Sequence, residues 1–337
     1  MNIRAAIAQL VAHQDLSEGD MEAVMREVME GIATPAQIGA LLIGLRMKGE
    51  RVEEITGAAR VMRRYATPVR TSREVVDTCG TGGDMRGTFN ISTAAALIAA
   101  GAGVPIAKHG NRAMSGAVGG ADVLEALGVR IELTPEQAAA CLEHAGMAFL
   151  FAPAFHPAVR HAAAPRREIG VRTVFNLLGP LANPAGATAQ VLGVFGREWV
   201  EPLAHTLARL GSRRAMVVHG EDGLDEITLT APTLVAELRD DAVRTYRIEP
   251  EQLGLSRCQP EMLRGGDVHE NAEVVLRILA GDASAVQTDI SVVNAAAAIY
   301  VAGRAADLGG ALELARASVR AGRARQVLDA LIEWSNR

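Results

Sequence analysis

A short apolar strand that leads into a glycine-rich loop and then a helix constrains the fold of this chain most. The segment Glu74-Val75-Val76 precedes the loop Asp77-Thr78-Cys79-Gly80-Thr81-Gly82-Gly83-Asp84. A helix is predicted over residues 92–100, and the apolar strand Val104-Pro105-Ile106-Ala107 follows it. A strand, a helix and a second strand in this order predict a βαβ unit with parallel strands.

The same order of elements recurs downstream, which predicts a largely parallel and buried sheet. The second unit comprises a strand over residues 190–195, a helix over 199–210 and a strand over 215–219. A short β-rich stretch is expected around residues 228–248, and helices are expected around 272–279, 292–302 and 312–334. We therefore predict an α/β domain with a central, mostly parallel sheet.

The first sixty-odd residues have the pattern of short amphipathic helices instead. The run Thr34-Pro35-Ala36-Gln37 is typical of a helix start, with a capping threonine, a proline at the first helical position and a glutamine at the third. We predict a helical domain over residues 1–68 and an α/β domain over 74–154 and 188–337. Part of the Pro- and Arg-rich segment 155–184 is expected to pack on the helical domain, which places the functional site in the cleft between domains.

Composition and charge exclude several classes of protein. The 337-residue chain has a net charge of −5, so it lacks the excess of Lys and Arg that broad binding to nucleic acid or an anionic membrane surface requires. Its longest apolar run, residues 94–107, is too short to cross a bilayer. Cys79, Cys141 and Cys258 share no metal-binding spacing, so we interpret them as thiols in a reducing compartment. We expect a cytoplasmic protein that binds neither nucleic acid nor membranes.

The glycine-rich loop after the first strand has two interpretations. Its glycines can bring main-chain N–H groups to a phosphate at the positive end of the next helix. A tight turn with positive φ angles explains the same glycines. Asp84 favours a ligand, because a carboxylate in such a loop needs a cation or a ribose hydroxyl as partner. The next run, Asn90-Ile91-Ser92-Thr93, either caps the helix or extends the phosphate site.

A run of donor-rich residues follows the second strand, at the end where open α/β sheets bind their ligands. Its sequence is Lys108-His109-Gly110-Asn111-Arg112-Ala113-Met114-Ser115-Gly116. A solvated basic turn explains Lys108 and Arg112, but it does not explain so many donors between glycines. A diphosphate needs such donors, so we interpret this run as a phosphate-binding segment.

A cluster of arginines lies in the segment before the second βαβ unit. Arg160, Arg166, Arg167 and Arg172 occur within a short stretch that contains the single acid Glu168. Some of these arginines are expected in structural ion pairs. A guanidinium also binds a carboxylate through two parallel hydrogen bonds, so one of them is a candidate clamp for a small aromatic acid.

An acidic turn follows the strand predicted over residues 215–219. Its sequence is His219-Gly220-Glu221-Asp222-Gly223-Leu224-Asp225-Glu226. Acidic doublets are most often solvated surface, but this turn can direct two carboxylates to one place at the end of a strand. Mg²⁺ binds one or two carboxylates together with waters and substrate phosphates. Asp225 and Glu226 are therefore predicted to be metal ligands.

Taken together, these segments resemble the anthranilate phosphoribosyltransferase family over most of the chain from Asp77 to Gly303. The resemblance implies a helical domain and a larger α/β domain with the fold of nucleoside phosphorylases, usually assembled as a homodimer through the helical domain. It implies transfer of the phosphoribosyl group of phosphoribosyl pyrophosphate to anthranilate in tryptophan biosynthesis. The matching segments are GTGGD at 80–84, TFNIST at 88–93, KHGNR at 108–112, ADVLEALG at 121–128, RTVFNLLGPLANP at 172–184, HGEDGLDEIT at 219–228 and NAAAAIYVAG at 294–303.

The resemblance also implies which residues bind the two substrates and two Mg²⁺ ions, and it assigns no catalytic residue. Phosphoribosyl pyrophosphate is expected at Gly80, Gly83, Asp84, Thr88, Asn90, Ile91, Ser92, Thr93, Lys108, His109, Gly110, Asn111, Arg112, Ala113, Met114, Ser115, Gly116 and Gly120. Anthranilate is expected at Gly80, His109, Asn111, His156, Arg166 and Pro180, and Mg²⁺ at Ser92, Asp225 and Glu226.

The chain departs from the family at a few positions, and two alternative functions remain. Met85 stands where the family often has glycine, and Ala117, Val118 and Gly120 stand where it often has serines, which affects substrate affinity more than reaction type. A nucleoside phosphorylase of the same fold has no evident need for the predicted Mg²⁺ pair. A non-catalytic relative that binds nucleic acid would have a basic surface and would lack the anthranilate-binding residues.

Overall fold

Four helices form the N-terminal part of the chain in the computed structural model, which describes residues 1–83, 86–113 and 118–337. The helices are α1 (Ile3–Val11), α2 (Glu18–Met29), α3 (Pro35–Lys48) and α4 (Val52–Tyr65). The predicted start of α3 is confirmed, because the Gln37 N–H donates to Thr34 Oγ1 at 3.3 Å and the Thr34 N–H donates to Gln37 Oε1 at 2.9 Å. The predictions made for Asp84, Met85, Met114, Ser115, Gly116 and Ala117 lie outside the described residues.

Strands and helices alternate through most of the remaining chain, as the sequence predicted. In chain order these elements are β1 (Val76–Gly80), α5 (Ile91–Gly101), β2 (Ile106–Gly110), α6 (Gly120–Ala126), α7 (Pro135–His144), β3 (Met147–Phe151), α8 (Ala152–Phe155), α9 (Arg160–Ile169), α10 (Phe175–Leu178), β4 (Ala189–Gly193), α11 (Val200–Arg209), β5 (Arg214–Gly220), β6 (Thr233–Arg239), β7 (Ala242–Ile248), α12 (Val268–Ala280), α13 (Ala285–Val301), α14 (Leu308–Arg320) and α15 (Arg323–Ser335).

The strands form one sheet in the order β3-β2-β1-β4-β5-β6-β7. Strands β1 to β5 are parallel to their neighbours, and β6 and β7 continue the sheet as an antiparallel hairpin. The chain builds outward from β1 to β3 on one side and then returns to place β4 on the other side of β1. Ligands bind at such a reversal of strand order, at the carboxyl ends of the strands. The topology therefore directs attention to the ends of β1 and β4.

Two strands extend further than the sequence predicted. The strand expected to end at Val76 runs to Gly80, and the strand expected over residues 104–107 runs from Ile106 to Gly110. Each strand continues through polar residues because a neighbouring strand forms main-chain hydrogen bonds alongside them. Asp77 of β1 lies opposite Gln190 of β4, and Lys108 of β2 lies opposite Phe149 of β3. Lys108, His109 and Gly110 are therefore strand residues, and the prediction that they follow the strand was wrong.

The C-terminal segment was predicted as one helix over residues 312–334, but it forms two. Gly322, between α14 and α15, has a φ of 68°, a left-handed conformation that an α-helix does not allow. The break lets α15 turn back and pack beside α5, the buried helix that follows β1. None of the helices in the described part of the chain is long and apolar enough to cross a membrane.

Helix α9 packs against the N-terminal helices. Ala162 of α9 is fully buried in the same apolar cluster as the residues that line the inner faces of α1 to α4. Gly39 of α3 leaves room for Ile169 at the end of α9, whose Cδ1 would lie 4.0 Å from an added Cβ. Helix α9 therefore packs on the N-terminal helices, and the division into residues 1–68 and 74–154 with 188–337 stays a prediction.

Candidate active site at the ends of β1 and β4

The acidic turn after β5 packs directly on the last residues of β1 and β4. Gly80 and Gly193 end these strands side by side. A Cβ atom added to Gly80 would lie 2.7 Å from Asp225 Oδ2, and one added to Gly193 would lie 1.6 Å from the Asp225 carbonyl oxygen. The Gly82 N–H also donates to Asp225 Oδ2 at 3.0 Å. Only glycine at the strand ends allows Asp225 to approach this closely.

The glycine-rich loop beyond β1 turns in the left-handed region that its sequence predicted. Gly82 and Gly83 have φ angles of 65° and 76°, so the tight-turn interpretation holds for this part of the loop. The Arg172 guanidinium donates to the Gly83 carbonyl oxygen and lies 4.2 Å from the centroid of the Phe195 ring. Arg172 therefore fixes the loop rather than remaining available as a clamp in this conformation.

Lys108 lies buried between the glycine loop and the start of α5. Its Nζ atom donates to the Thr78 carbonyl oxygen and, at 3.0 Å, to Ser92 Oγ. Burial lowers the pKa of Lys108, and the negative charges of Asp77, Asp225 and Glu226 oppose that shift. Of the three side chains predicted for the metal site, Ser92 therefore contacts the ammonium group, and the charges of Asp225 and Glu226 act on it.

Asp77 is a fully buried carboxylic acid that sequence reasoning missed as a site residue. Its Oδ1 accepts a hydrogen bond from the His109 N–H at 3.0 Å, whereas Oδ2 has no hydrogen-bond partner in the described part of the chain. Burial raises the pKa of Asp77 to about 6. A signal was present in the sequence, since Asp77 directly continues the apolar run Val75-Val76, and an acidic residue buried in a sheet needs a specific reason.

His109 and His156 form a buried pair whose ring centroids lie 5.0 Å apart. His109 Nδ1 lies 3.0 Å from the Gly179 carbonyl oxygen, which only accepts, so Nδ1 carries the proton and Nε2 is an acceptor. In residues 1–83, 86–113 and 118–337, neither Nε2 atom has a hydrogen-bond partner. Burial lowers the pKa of His109 to about 3 and that of His156 to about 4, so both rings are neutral at pH 7.

Arg166 differs from its neighbours on α9. Its guanidinium lies 5.0 Å from the centroid of the Phe175 ring, and burial lowers its pKa. Arg160 and Arg167 are exposed to solvent on the same helix. A partly desolvated guanidinium beside an aromatic ring suits a small aromatic carboxylate, because it offers both a charge and a flat apolar surface.

The N-terminus of α5 is capped by its own side chain, as one of the two interpretations predicted. Asn90 Oδ1 accepts from the Thr93 N–H at 3.1 Å, and the Asn90 N–H donates to Asn271 Oδ1 at 2.9 Å. Gly120, at the start of α6, keeps this corner open, because a Cβ there would lie 3.3 Å from Thr93 Oγ1. Thr88 forms an isolated antiparallel bridge with Arg264 outside this cap, and Ile91 is buried beneath it.

The donor-rich run beyond β2 is distributed over two environments. Lys108 and His109 face the site, whereas Arg112 forms ion pairs with Asp122 at 2.8 Å and Glu125 at 2.6 Å. Asn111 Oδ1 accepts from the Arg112 N–H at 2.8 Å. Gly110 lies against the Phe149 ring, and the Ala113 N–H donates to Asp122 Oδ2 at 3.3 Å. In this conformation the charge of Arg112 is therefore balanced by the two carboxylates of α6.

The described residues contain no group of three or more His, Cys, Asp or Glu side chains that converge as a metal site. Mg²⁺ does not require one, since it binds through one or two carboxylates and completes its shell with waters and phosphate oxygens. The hydroxyl of Ser92 and the carboxylates of Asp225 and Glu226 are hard oxygen donors of this kind. Ser92 Oγ already accepts a hydrogen bond from the Lys108 ammonium, and the negative charges of Asp225 and Glu226 favour the charged form of Lys108, so these side chains supply the negative field that a cation requires.

The sequence of this chain is similar to those of known proteins over nearly its whole length. The family described as "Glycosyl transferase family, a/b domain" matches residues 72–325, and "Glycosyl transferase family, helical bundle domain" matches residues 4–66. The anthranilate phosphoribosyltransferase of Rubrobacter xylanophilus is 52% identical over 335 residues, which cover 99% of this chain and 98% of that protein. The chain belongs to the anthranilate phosphoribosyltransferase family. The resemblance deduced from the sequence, the predicted fold class and the predicted enzyme class are thus confirmed.

Solved structures of anthranilate phosphoribosyltransferases have the same fold over nearly the whole chain. The enzyme of Thermus thermophilus superposes with a TM-score of 0.94 at 45% identity, covering 98% of this chain and 99% of that one. The enzyme of Saccharomyces cerevisiae, in complex with phosphoribosyl pyrophosphate and Mg, superposes with a TM-score of 0.89 at 26% identity, covering 99% and 98%. Both members of the family therefore share the fold in which the site described above lies.

Proposed function

We propose that this chain transfers the phosphoribosyl group of phosphoribosyl pyrophosphate to the amine of anthranilate, giving N-(5-phosphoribosyl)anthranilate and pyrophosphate. The observation that carries the proposal is the contact of Asp225 with Gly80 and Gly82, which joins an acidic turn to a glycine loop at the reversal of strand order. A related S. cerevisiae enzyme binds 4-fluoroanthranilate, an analogue of the proposed acceptor.

Phosphoribosyl pyrophosphate is proposed to bind along the ends of β1 and β2 and the start of α5. Lys108 supplies a buried ammonium, and the glycine loop supplies main-chain N–H groups. The residues proposed for this substrate are the eighteen expected from the sequence resemblance. Arg112 can contribute only if its ion pairs with Asp122 and Glu125 are exchanged for phosphate, and both partners are exposed enough to permit that exchange.

Mg²⁺ is proposed to be held by Ser92, Asp225 and Glu226, in two ions as the resemblance implies. When bound, Mg²⁺ would neutralise charge on the pyrophosphate as it leaves. Lys108 already lies at the same place through its bond to Ser92 Oγ, so it stabilises negative charge on the leaving group from the protein side. Asp225 is held by the Gly82 N–H, which orients its carboxylate towards the glycine loop.

Anthranilate is proposed to bind between α9 and the histidine pair. Arg166 and Asn111 would bind anthranilate, with Arg166 on its carboxylate. The residues that would line its path are Gly80, His109, His156 and Pro180. His109 and His156 are neutral at pH 7 because burial lowers the pKa of each ring. His109, whose Nδ1 carries the proton, can therefore accept a hydrogen bond from the amine at Nε2, and neither ring adds a positive charge that would repel a developing cation.

The reaction forms a bond between the anthranilate nitrogen and C1 of the ribose while the bond from C1 to the pyrophosphate oxygen breaks. The nitrogen releases one proton, which passes to solvent water, and the electron pair of the broken bond leaves on pyrophosphate. The neutral amine needs no strong base before attack, so alignment of the two substrates supplies most of the acceleration. Such alignment lowers barriers by up to roughly 7–11 kcal/mol in well-oriented systems.

The chain is proposed to work as a cytoplasmic homodimer that associates through its N-terminal helices. Val11 at the end of α1 is 73% exposed and Met47 on α3 is 74% exposed, and both side chains are apolar. Wild-type protein is expected to elute at twice the chain mass of 35.4 kDa in light scattering. A Val11→Glu and Met47→Glu double variant should shift towards the monomer, and an unchanged dimer would place the interface elsewhere.

Product analysis tests the proposed reaction against the phosphorylase alternative. Anthranilate and phosphoribosyl pyrophosphate incubated with the protein and Mg²⁺ should give the N-ribosyl product and pyrophosphate in equal amounts by mass spectrometry. Pyrimidine or purine nucleosides with inorganic phosphate should give no sugar phosphate. The reverse result would assign the site to phosphorolysis.

A further inference from the structure

The turn over residues 179–181 is fixed by three side chains that come from three different elements. Each of its consecutive carbonyl oxygens accepts a hydrogen bond from a side chain on a different element: β2, β4, or α4 of the N-terminal helices. The bonds run from His109 Nδ1 to Gly179 O at 3.0 Å, from Gln190 Nε2 to Pro180 O at 2.7 Å and from Arg63 Nε to Leu181 O at 2.6 Å. This turn includes Pro180, which lines the proposed anthranilate path.

Arg63 also binds the carboxyl end of a second element. Its Nη1 donates to the Leu210 carbonyl oxygen at 2.9 Å, at the C-cap of α11. A cation at this end of a helix is stabilised by the helix dipole. Burial lowers the pKa of Arg63 to about 10, so the side chain remains charged at pH 7. Arg63 thus bridges the turn and the end of α11 from the helical part of the chain.

The acceptors of Arg63 distinguish it from the other arginines of α4. Within the described residues, no carboxylate lies within ion-pair distance of Arg63, whereas Arg60 and Arg64 both pair with Glu22. A partly buried guanidinium that binds only main-chain carbonyls gains less Coulomb energy than an ion pair. What it provides is geometry, because its planar group holds two carbonyl oxygens of distant segments in fixed positions.

We propose that Arg63 is a positioning residue of the anthranilate site: it holds the turn 179–181, and through that turn the orientation of His109. The inference rests on the proposed function, because it assigns a role in binding the acceptor substrate. Arg63 is not among the residues proposed to bind either substrate. Its effect passes from Leu181 to Gly179, two residues along the turn, and from the Gly179 carbonyl to His109 Nδ1.

Gln190 makes the same turn rigid from the opposite side. Its Nε2 donates to the Pro180 carbonyl oxygen and lies 3.0 Å from Cys79 Sγ, next to Gly80 at the end of β1. Gln190 therefore holds the turn on the side of β1, where phosphoribosyl pyrophosphate is proposed to bind. Arg63 holds it on the side of the N-terminal helices. Replacing Arg63 leaves the hydrogen bond from Gln190 in place. Binding of anthranilate should therefore weaken more than binding of phosphoribosyl pyrophosphate.

Arg60 provides a matched control on the same helix. Its Nη2 donates to the Arg209 carbonyl oxygen at 3.4 Å, one residue before the Leu210 carbonyl that Arg63 binds, and it pairs with Glu18 and Glu22. Replacing Arg60 loosens the contact between α4 and α11 without touching the turn. A role of Arg63 in general domain packing would give the two variants the same phenotype.

The test compares wild type, Arg63→Met, Arg63→Lys and Arg60→Met in steady-state kinetics with each substrate varied in turn. Arg63→Met should raise the KM for anthranilate at least fivefold and change the KM for phosphoribosyl pyrophosphate less than twofold. Arg63→Lys keeps the charge but reaches only one carbonyl, so it should be intermediate. Equal kinetics for Arg63→Met and Arg60→Met, or an equal rise in both KM values, would overturn the proposal. If Arg63→Met does not fold, an unchanged anthranilate KM in Arg63→Lys overturns it instead.

Binding without turnover separates this inference from the proposed function. The dissociation constant of 4-fluoroanthranilate, measured by ¹⁹F NMR, should rise at least fivefold in Arg63→Met and stay within twofold of wild type in Arg60→Met. If the two variants differ in probe binding as predicted but wild-type protein makes no product, the proposed reaction is contradicted and the role of Arg63 is still supported. Active wild type with equal probe binding in both variants would contradict only the role of Arg63.

Discussion

The main-chain N–H of Gly82 donates a hydrogen bond to Asp225 Oδ2 at 3.0 Å, across 143 positions in the sequence. This bond joins the glycine loop after β1 to the acidic turn after β5. Each loop follows a parallel strand, and the sheet order brings β1 to within one strand of β5. The proposed metal ligands and the proposed phosphate loop are therefore joined by a hydrogen bond. A substitution in either loop should alter the binding of both Mg²⁺ and phosphoribosyl pyrophosphate.

Replacing both Asp225 and Glu226 with Ala should abolish the Mg²⁺-dependent rate, because it removes both carboxylates from the proposed metal site. Binding of Mg²⁺ in the presence of phosphoribosyl pyrophosphate, measured by calorimetry, should weaken at least tenfold. Glu221→Ala serves as the control in the same turn, since Glu221 pairs with exposed Arg247 at 2.8 Å. A fully active double variant would move the metal site to other residues.

Gly193→Ala should disrupt the same unit without changing a polar group. Its Cβ would lie 1.6 Å from the Asp225 carbonyl oxygen, so the acidic turn must move away from β4. We expect a large loss of Mg²⁺ affinity and a destabilisation of roughly 1–3 kcal/mol, as for other overpacked sites. Gly19→Ala is the matched control, because no atom lies within 4 Å of its added Cβ and alanine favours a helix. Equal Mg²⁺ affinity in the two variants would contradict the described geometry.

Arg166→Ala should raise the KM for anthranilate while sparing phosphoribosyl pyrophosphate. Loss of a charged hydrogen-bonding group costs about 1.5–3 kcal/mol, which corresponds to roughly 10- to 150-fold in KM. Arg167→Ala changes the exposed neighbour on the same helix and should leave both KM values unchanged. Unchanged anthranilate kinetics in Arg166→Ala would refute the proposed clamp.

The free energy of unfolding should fall as the pH is lowered from 7.5 to 5, in part because of His109. Its pKa is about 3 in the folded protein and near 6.5 when unfolded, so the unfolded chain binds the extra proton across this range. The expected contribution is about 2 kcal/mol. Asp77 acts in the opposite direction, because a carboxyl with a folded pKa raised to about 6 loses stability as the pH rises through that value.

Urea unfolding of wild type and His109→Gln at the two pH values isolates the histidine contribution. The substitution retains the main-chain N–H that binds Asp77, so the Asp77 contribution should remain in both proteins. The loss of unfolding free energy between pH 7.5 and 5 should be about 2 kcal/mol smaller in His109→Gln. An identical pH dependence would show that His109 is protonated in the folded state at pH 5.

The central sheet and both loops at its edge could be predicted from the sequence because their signals are local. Each signal comes from residues that are close in the sequence: an apolar strand, a glycine-rich turn or a donor-rich run. The parallel topology then brings the ends of the strands together. The errors arose where burial extends a strand through polar residues. Asp77 and Lys108 were placed in loops by their polarity, although each belongs to a strand ladder.

The supporting contacts of the site could not be predicted in the same way. Arg63 and Leu181 are separated by 118 positions, and Gln190 and Cys79 by 111. No local pattern connects such pairs, because their contact depends on how the N-terminal helices and the sheet pack together. The neutrality of His109 and His156 likewise follows from burial in the folded protein, whereas the isolated side chains titrate near pH 6.5.

The most direct test of the central claim is the loss of anthranilate fluorescence when purified protein, phosphoribosyl pyrophosphate and Mg²⁺ are combined. Controls omit each substrate or add EDTA. We predict a decrease in fluorescence that requires both substrates, the protein and Mg²⁺ together. No decrease over a range of Mg²⁺ and substrate concentrations would contradict the proposed reaction and leave only the fold and the family.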